Sequence, residues 1–321
     1  MENRFDDIRK KIYGPVFPVP PAFDEPGNLD TESVISYTKH LCRNHARILM
    51  VTAGTSRLSL LNFKEIAALN QAVAQAAAGS DVLTIGGLPP FGSTKMVIEL
   101  ARKAVKDGCN ALLIYYPDKF YSDDAVYEYY VRIALESDSP LMIHGVPFQH
   151  GRCRAMVPYS IDLCCKLAEI ENVVGMKEEF GSEELRYKLA TRLGQRIPLI
   201  VAGGSMRKYL GSTLYGIRSW LVGVGSFFPK IEQSFFDIVQ SGDYAAALEI
   251  VKHIEEPFFD IAMPIGWHVA MRSMLSILGL MPEYERKPMV MAEPEQRNQL
   301  ISIAHKLGWL PFAGGCNDRT S

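Results

Sequence analysis

The strongest constraint on the fold is a repeated alternation of short apolar runs with amphipathic helical segments. Seven runs are apolar throughout rather than at every second position, which is typical of parallel strands covered on both faces. They are RILMVT (47–52), DVLTIGG (81–87), ALLIYYP (111–117), PLMIHGVP (140–147), VVGMKEE (173–179), PLIVAGG (198–204) and SWLVGVG (219–225). An eighth, GPVFPVP (14–20), is weaker because proline cannot donate a ladder hydrogen bond.

Several of the segments between these runs begin with Ser, Thr, Asp or Asn and end at Gly, the usual chemistry of helix caps. Eight strand–helix units predict an α/β fold of the (β/α)8 TIM-barrel type. A doubly wound open sheet is the alternative, but no GxGxxG or GxxxxGK[ST] motif follows a strand. After Gly242 three helices follow without strands. We therefore predict a barrel over 1–242, a helical extension over 243–310 and a disordered tail over 311–321.

Composition narrows the function classes. The chain has 321 residues, is 48% hydrophobic and carries a net charge of −2, so one barrel-sized core is expected and no basic stripe favours nucleic acid or an anionic membrane. The N-terminal segment MENRFDDIRKKIYG lacks the apolar core of a secretory signal, and no run reaches the roughly 18 apolar residues of a membrane span. Six cysteines without CxxC spacing predict reduced thiols in a cytoplasmic protein.

In a TIM barrel the active site lies at the carboxyl ends of the strands. Lys177 stands near the end of VVGMKEE, and strand alternation predicts that Gly175, Lys177 and Glu179 point inward while Met176 and Glu178 face the helices. A partly desolvated lysine has a lowered pKa and can attack a carbonyl. The alternative is a structural lysine paired with Glu178 or Glu179.

His144 lies near the end of the preceding strand, in LMIHGVP, and neighbouring strands place it beside Lys177 if both side chains point inward. An imidazole there can move protons, although a core histidine that satisfies backbone groups is equally compatible with the sequence. Tyr115 and Tyr116 end another strand, where a packed aromatic pair is at least as good an interpretation as a substrate contact.

Two turns are candidates for substrate binding. VTAGTS contains Gly54, Thr55 and Ser56, whose N–H groups and hydroxyls can hold a carboxylate in a tight turn. AGGS contains Gly203 and Gly204, which would let a ligand approach the backbone closely. Each signal is weak by itself because such turns are common.

Taken in order, these segments resemble the dihydrodipicolinate synthase/N-acetylneuraminate lyase family. VVGMKEE (173–179) resembles the family's G-[IVM]-K-[ED] strand and LMIHGVP (141–147) its Y-N-[VI]-P strand. VTAGTSRLSLLNFKE (51–65) resembles its G-T-T-G-E-x-x-x-L-x-x-x-E segment, and residues 14–30 resemble its entry strand. The resemblance extends from about residue 12 to residue 240 and includes the helical tail.

The resemblance implies a class I aldolase that acts on a 2-oxo acid such as pyruvate. Lys177 matches the family's imine-forming lysine, and the turn of Gly54 to Ser56 matches the loop that holds the carboxylate. It also implies a homo-oligomer, a tetramer or dimer, without a metal or an organic cofactor.

The departures from the family pattern concern the proton relay and the turn. The family's tyrosine is His144 here, and the asparagine after it is Gly145. The first threonine of the turn matches Gly54 and the closing glutamate matches Arg57. We expect His144, acting through a water, or else Glu179 to relay protons, since an imidazole is shorter than a phenol.

Gln149 matches the arginine that dihydrodipicolinate synthases place two residues after Y-N-V-P. Without that cation the carboxylate of aspartate semialdehyde would lose its partner, so we expect no role in lysine biosynthesis. Four hypotheses remain: an aldolase or lyase for a 2-keto-3-deoxy sugar acid, a dehydratase or hydratase-aldolase, a regulatory barrel without turnover, and a phosphate-binding barrel that uses the glycines of VGVGSFFP.

Overall fold

Eight parallel strands close into a barrel in the computed structural model, which describes residues 3–152 and 155–310. Around the barrel the order is β1, β2, β3, β4, β5, β8, β9, β10 and back to β1, while β6 and β7 form a separate antiparallel pair. The strands are β1 (Gly14–Pro18), β2 (Ile48–Met50), β3 (Leu83–Gly87), β4 (Ala111–Ile114), β5 (Leu141–Gly145), β6 (Phe148–Gln149), β7 (Met156–Val157), β8 (Val173–Glu178), β9 (Leu199–Val201) and β10 (Ser219–Leu221). All eight predicted strands are confirmed, and the closed barrel excludes the open sheet.

Helices surround the barrel and continue beyond it. They are α1 (Arg4–Lys11), α2 (Thr31–Arg43), α3 (Phe63–Ala77), α4 (Thr94–Lys106), α5 (Asp123–Ser137), α6 (Ile161–Ala168), α7 (Glu183–Leu193), α8 (Met206–Ser212), α9 (Pro229–Gln240), α10 (Tyr244–Ile250), α11 (Glu256–Ile265), α12 (Trp267–Ile277) and α13 (Pro294–Lys306). Most of the barrel helices begin with a side-chain cap, for example Asp30 on α2 and Ser182 on α7. Among the described residues, no helix combines the length and the apolar character that a membrane crossing requires.

The strands separate two apolar layers, as their continuous hydrophobicity requires. An inner cluster fills the barrel and an outer cluster packs the strands against the helices. On β10, Trp220 belongs to the outer cluster and Leu221 to the inner one. Trp220 stacks on Tyr209 of α8, with ring centroids 4.1 Å apart.

Helix α1 was not anticipated from the sequence, because it is mostly charged. Its Phe5, together with Ile12 just after it, joins the inner cluster of the barrel. Arg9 donates hydrogen bonds to the carbonyl oxygens of Glu171 (2.6 Å) and Val173 (2.9 Å), at the start of β8. The helix thus covers the end of the barrel opposite to the predicted active site.

The C-terminal extension is tied to the barrel by buried polar contacts. Between α10 and α11 lies a π-helical turn, Val251–Glu255, and the Glu255 carboxylate accepts from the N–H groups of Met206 and Arg207 at the start of α8. On the other side of the mouth, Arg57 donates to the Glu285 carboxylate at 3.0 Å, and both side chains are almost fully buried.

The three predicted helical segments of the extension are present, and the TIM barrel with this extension is confirmed. The division into domains at residue 242 remains a prediction. The tail predicted to be disordered, 311–321, lies outside the described residues.

The Arg57–Glu285 pair should be critical for stability. Glu285→Ala leaves a buried guanidinium without its counter-charge, and breaking such a pair costs about 3–5 kcal/mol of unfolding free energy. Urea unfolding monitored by tryptophan fluorescence measures this loss. Glu283→Ala is the matched control, since that carboxylate is largely exposed and lies 3.9 Å from its partner Arg297. Equal midpoints for the two variants would contradict the prediction.

Candidate active site

A bulge in β8 sets the direction of the candidate lysine. The ladder between β5 and β8 pairs Leu141 with Val173 and then Met142 with Gly175, so Val174 is an extra residue. A bulge of this kind re-aims the side chains that follow it. Beyond it the register is regular and His144 pairs directly with Lys177.

The side chains of Lys177, His144 and Glu179 meet at the carboxyl end of the barrel. Lys177 Nζ lies 3.0 Å from His144 Nε2 and also donates to Glu179 Oε2. The same carboxylate oxygen lies 3.1 Å from His144 Nε2. The inward direction predicted for Lys177 and Glu179 is therefore observed, and the three groups form a closed triangle of polar contacts.

Glu178 points the other way, as the alternation predicts. It accepts a hydrogen bond from Arg186 Nε on α7 (2.7 Å) and another from the N–H of Phe180 (2.9 Å). Of the two carboxylates considered as structural partners of Lys177, only Glu179 touches it.

Burial dominates the protonation of the lysine. Lys177 is only 3% exposed, and desolvation lowers its pKa below the ordinary lysine value, while the nearby Glu179 carboxylate opposes that shift. A lysine with a lowered pKa carries the free amine at lower pH, which nucleophilic attack on a carbonyl requires.

His144 is neutral at physiological pH. Burial, and then the charge of Lys177, lower its pKa to about 4. Its Nδ1 is buried without a hydrogen-bond partner among the described residues, which favours the tautomer with the proton on Nε2, facing Glu179 and Lys177. The pairing of β5 with β8 brings His144 and Lys177 to the same level, so their contact is direct. The relay of protons by His144 through a water remains a prediction.

Glu179 connects the buried pair to solvent. Its side chain is 45% exposed, against 3% for both Lys177 and His144. Burial by itself raises its pKa, but the His144 hydrogen bond and the Lys177 charge outweigh this, and the net pKa lies below that of an ordinary glutamate. An ionised carboxylate that touches both the amine and bulk water is well placed to exchange protons.

Aromatic rings enclose the triangle on the side of β4. Tyr115 packs edge-on against His144, with centroids 5.2 Å apart, and burial and the Glu179 charge raise the pKa of its phenol. Tyr116 instead packs against Tyr129. The two tyrosines therefore differ: Tyr115 faces the site and Tyr116 packs against a helix.

In the turn after β2, the Ser56 hydroxyl and the backbone N–H groups of Gly54 and Thr55 have different roles. The Ser56 hydroxyl accepts from the N–H of Thr52 (2.9 Å) and donates to the Val19 carbonyl (2.6 Å), so it holds the turn to β1. By contrast, within the described part of the chain no hydrogen bond engages the N–H groups of Gly54 and Thr55. These two N–H groups are the part of the turn available to a carboxylate.

Arg57, which stands where the family motif has glutamate, supports this turn from behind. It adopts a left-handed conformation (φ 54°), and its guanidinium donates to the carbonyl oxygens of Gly54 and Thr55, each at 3.3 Å. Its charge is directed to Glu285, so Arg57 shapes the turn and does not face Lys177.

A second histidine, His268 at the start of α12, could not be found from the sequence. Its ring lies over Gly54: a Cβ built on that glycine would be 3.2 Å from Cε1 and 3.4 Å from Nε2 of the imidazole. Nothing in the pattern of a C-terminal helix signals such a contact, since the two residues are more than 200 positions apart in the sequence.

The remaining predicted substrate-binding residues, Gly203 and Gly204, lie at the same end of the barrel but outside the triangle of Lys177, His144 and Glu179. Gly203 (φ +98°) and Gly204 (φ +63°) adopt left-handed conformations after β9. Gly203 lines a surface groove with Lys208 and Phe259, and no contact joins it to Lys177 in the part of the chain that the structure describes. These left-handed conformations explain why both positions are glycine. The role of Gly203 and Gly204 in substrate binding remains a prediction.

The glycine turn after β10 already binds a carboxyl group of the protein itself, whose pKa burial raises to about 8. The Glu232 carboxyl accepts from the Gly225 N–H (3.1 Å) and from Trp220 Nε1 (3.0 Å), and its side chain fills the space beside Gly225. This occupancy removes the support for a phosphate site in VGVGSFFP.

Comparison with known proteins identifies the family. Residues 12–307 match the model of the dihydrodipicolinate synthetase family. The chain is 25% identical over 304 residues, 92% of this chain and 94% of the relative, to a Bacillus subtilis (strain 168) protein named "Probable 5-dehydro-4-deoxyglucarate dehydratase". It also shares its fold with dihydrodipicolinate synthase from Aquifex aeolicus (TM-score 0.81, 22% identity, 92% and 98% of the two chains) and N-acetylneuraminate lyase from Fusobacterium nucleatum (TM-score 0.81, 17% identity, 92% and 99%). The match over almost the whole chain shows that this protein belongs to the dihydrodipicolinate synthetase family.

Proposed function

We propose that this protein is a lyase that forms a Schiff base between Lys177 and the carbonyl carbon of a 2-oxo acid. The observation that carries the proposal is the contact of one buried amine with a neutral imidazole and an ionised carboxylate, at the end of the barrel where this fold places its active sites. Burial favours the free amine, and the Glu179 carboxylate that contacts it is the proton acceptor.

The proton steps follow from these contacts. The Glu179 carboxylate takes a proton from the Lys177 ammonium, and the free amine attacks C2 of the substrate to give a carbinolamine. Glu179 then returns a proton to the carbinolamine hydroxyl, which leaves as water, and the imine forms. His144 bonds to the same carboxylate oxygen and keeps it oriented towards the nitrogen. The iminium then accepts the electron pair released when a bond at C3 breaks.

The substrate carboxylate is best accommodated by the turn after β2. The N–H groups of Gly54 and Thr55 are available there, whereas Ser56 is committed to the fold. We therefore reduce the predicted carboxylate site from three residues to the backbone of two, with the Thr55 hydroxyl as an additional donor.

Two reaction types fit this imine. Cleavage of a bond between C3 and C4 of a 2-keto-3-deoxy sugar acid releases pyruvate. Loss of water from a sugar acid releases none, and the name of the Bacillus subtilis relative favours that second candidate. A lactate dehydrogenase-coupled assay on a panel of sugar acids separates the two, since only the aldolase produces pyruvate.

Four further expectations, on lysine biosynthesis, localisation, oligomeric state and cofactors, remain proposals. The protein is not a lysine-biosynthesis enzyme, because Gln149 lacks the charge to pair with a second carboxylate. It is a cytoplasmic homo-oligomer that needs no cofactor. The competing hypothesis of a regulatory barrel would be favoured by ligand-induced thermal stabilisation without turnover of any member of the panel.

The imine itself can be trapped. Incubation with pyruvate and sodium cyanoborohydride should add one reduced pyruvate to the wild-type chain, and peptide mass spectrometry should locate it on Lys177. Lys177→Ala should abolish the adduct. Lys188→Ala is the matched control, because that surface lysine pairs with Glu184 and its loss should leave trapping unchanged. An adduct that persists in Lys177→Ala, or its absence in the wild type, would contradict the mechanism.

Glu179→Gln should have two opposite effects. The carboxylate raises the pKa of Lys177, so its removal lowers that pKa and moves the midpoint of the pH profile of imine trapping to lower pH. The variant also loses its proton acceptor, and turnover should fall by about 10²-fold or more. The rate of trapping between about pH 6 and pH 10 measures the first effect.

Glu184→Gln controls for a general loss of negative charge and should leave the midpoint in place. If the midpoint of Glu179→Gln stayed where it is in the wild type or moved upward, Glu179 would not act on the lysine as described.

A further inference from the structure

The imidazole of His268 occupies the volume that a side chain at position 54 would fill. Gly54 has no side chain, and a Cβ placed there in ideal geometry would lie 3.2 Å from Cε1 and 3.4 Å from Nε2 of that ring. Gly54 matches a threonine in the family motif. The imidazole of His268 on α12 therefore lies where the motif would place the threonine side chain. The C-terminal extension thereby reaches the mouth of the barrel.

The ring is held in place but its nitrogens are available. Arg57 donates to the backbone carbonyl of His268 (3.3 Å) while it also holds the carbonyl oxygens of Gly54 and Thr55. One guanidinium thus fixes the spacing between α12 and the turn. Among the described residues, neither nitrogen of the His268 ring has a hydrogen-bond partner, and the residue is only partly buried.

The charges that act on His268 include those of Arg57, Glu179 and Lys177. Burial, and then the charge of Arg57, lower the pKa of His268 to about 4, while Glu179 raises it and Lys177 lowers it by smaller amounts. The ring is therefore neutral at physiological pH and carries one N–H donor. The charge of Arg57, the cation that holds the turn, is paired with the Glu285 carboxylate.

We propose that His268 binds the carboxylate of the 2-oxo acid, together with the N–H groups of Gly54 and Thr55. This inference rests on the proposed function, since it assumes an imine on Lys177 whose carboxylate lies against the turn. The two N–H groups and the Thr55 hydroxyl leave part of a carboxylate unsatisfied, and the ring of His268, which lies against Gly54, supplies a further donor. A neutral donor is suited to a carboxylate because a charge-assisted hydrogen bond forms without a second buried cation.

Comparison of two carbonyl compounds tests the inference. Pyruvate carries a carboxylate, whereas hydroxyacetone is similar in size and uncharged, and both can form an imine with Lys177. In His268→Ala the pyruvate concentration that half-saturates cyanoborohydride trapping should rise by about 10-fold or more, as expected for a hydrogen bond to a charged group. Trapping of hydroxyacetone should not change. His268→Asn keeps a donor and should lie between the wild type and the alanine variant.

The matched control is His253→Ala, in the same extension. His253 is exposed and pairs with Glu249 on its own helical segment, so its removal should leave both half-saturation values unchanged. Urea midpoints of all variants show whether the fold is retained.

A double variant tests the spatial replacement directly. Gly54→Ser alone brings a side chain against the imidazole and should weaken pyruvate trapping. Combined with His268→Ala, the serine hydroxyl enters the vacated volume, and part of the lost pyruvate affinity should return. If the double variant trapped pyruvate more weakly than either single variant, the two side chains would not share one volume.

The outcomes are distinguishable. Wild-type protein without an adduct of either compound would overturn the proposed function and this inference together. A wild-type adduct whose pyruvate dependence is unchanged in His268→Ala would overturn the inference and leave the Schiff base intact. An equal loss for pyruvate and hydroxyacetone would show that His268 positions the lysine generally and does not recognise the carboxylate.

Discussion

Burying an amine at the end of a barrel strand is the constraint on which the site depends. An ammonium taken out of water loses solvation free energy, and the loss is offset only by a nearby counter-charge or by release of the proton. Lys177 has access to both: Glu179 offers the counter-charge, and desolvation favours the neutral amine. The counter-charge of Glu179 and the desolvation together allow this lysine to be buried. They also keep its amine available for imine formation.

Backbone geometry brings the partners of that lysine together. The extra residue in β8 changes the register with β5 once, and beyond it the pairing is regular up to Glu178. His144 reaches Lys177 because parallel neighbours in the barrel end at the same level. Glu179 reaches it because it lies two residues further along the chain, just past the end of β8. The pocket is therefore built mainly by two adjacent strands, while the turn after β2 faces them across the mouth.

A second set of contacts joins the turn to the C-terminal helices. Arg57 lies at its centre, with two carbonyl oxygens of the turn, the carbonyl of His268 and the Glu285 carboxylate as acceptors. In the family motif this position is a glutamate, which could not donate to any of them. The substitution at position 57 and the histidine at position 268 are thus parts of one arrangement, in which the extension completes the rim of the barrel.

The sequence by itself determined the strand order, the barrel, the inward direction of Lys177 and Glu179, and the family, because these follow from local periodicity and from ordered motifs. Only the tertiary structure decided how each polar group is used. Ser56 is bound to Val19, 37 positions away, and the imidazole of His268 covers Gly54. Periodicity reports which face of a strand is buried, but it carries no information on which distant side chain fills a given space. The partners of the turn therefore depend on how the extension closes over the barrel.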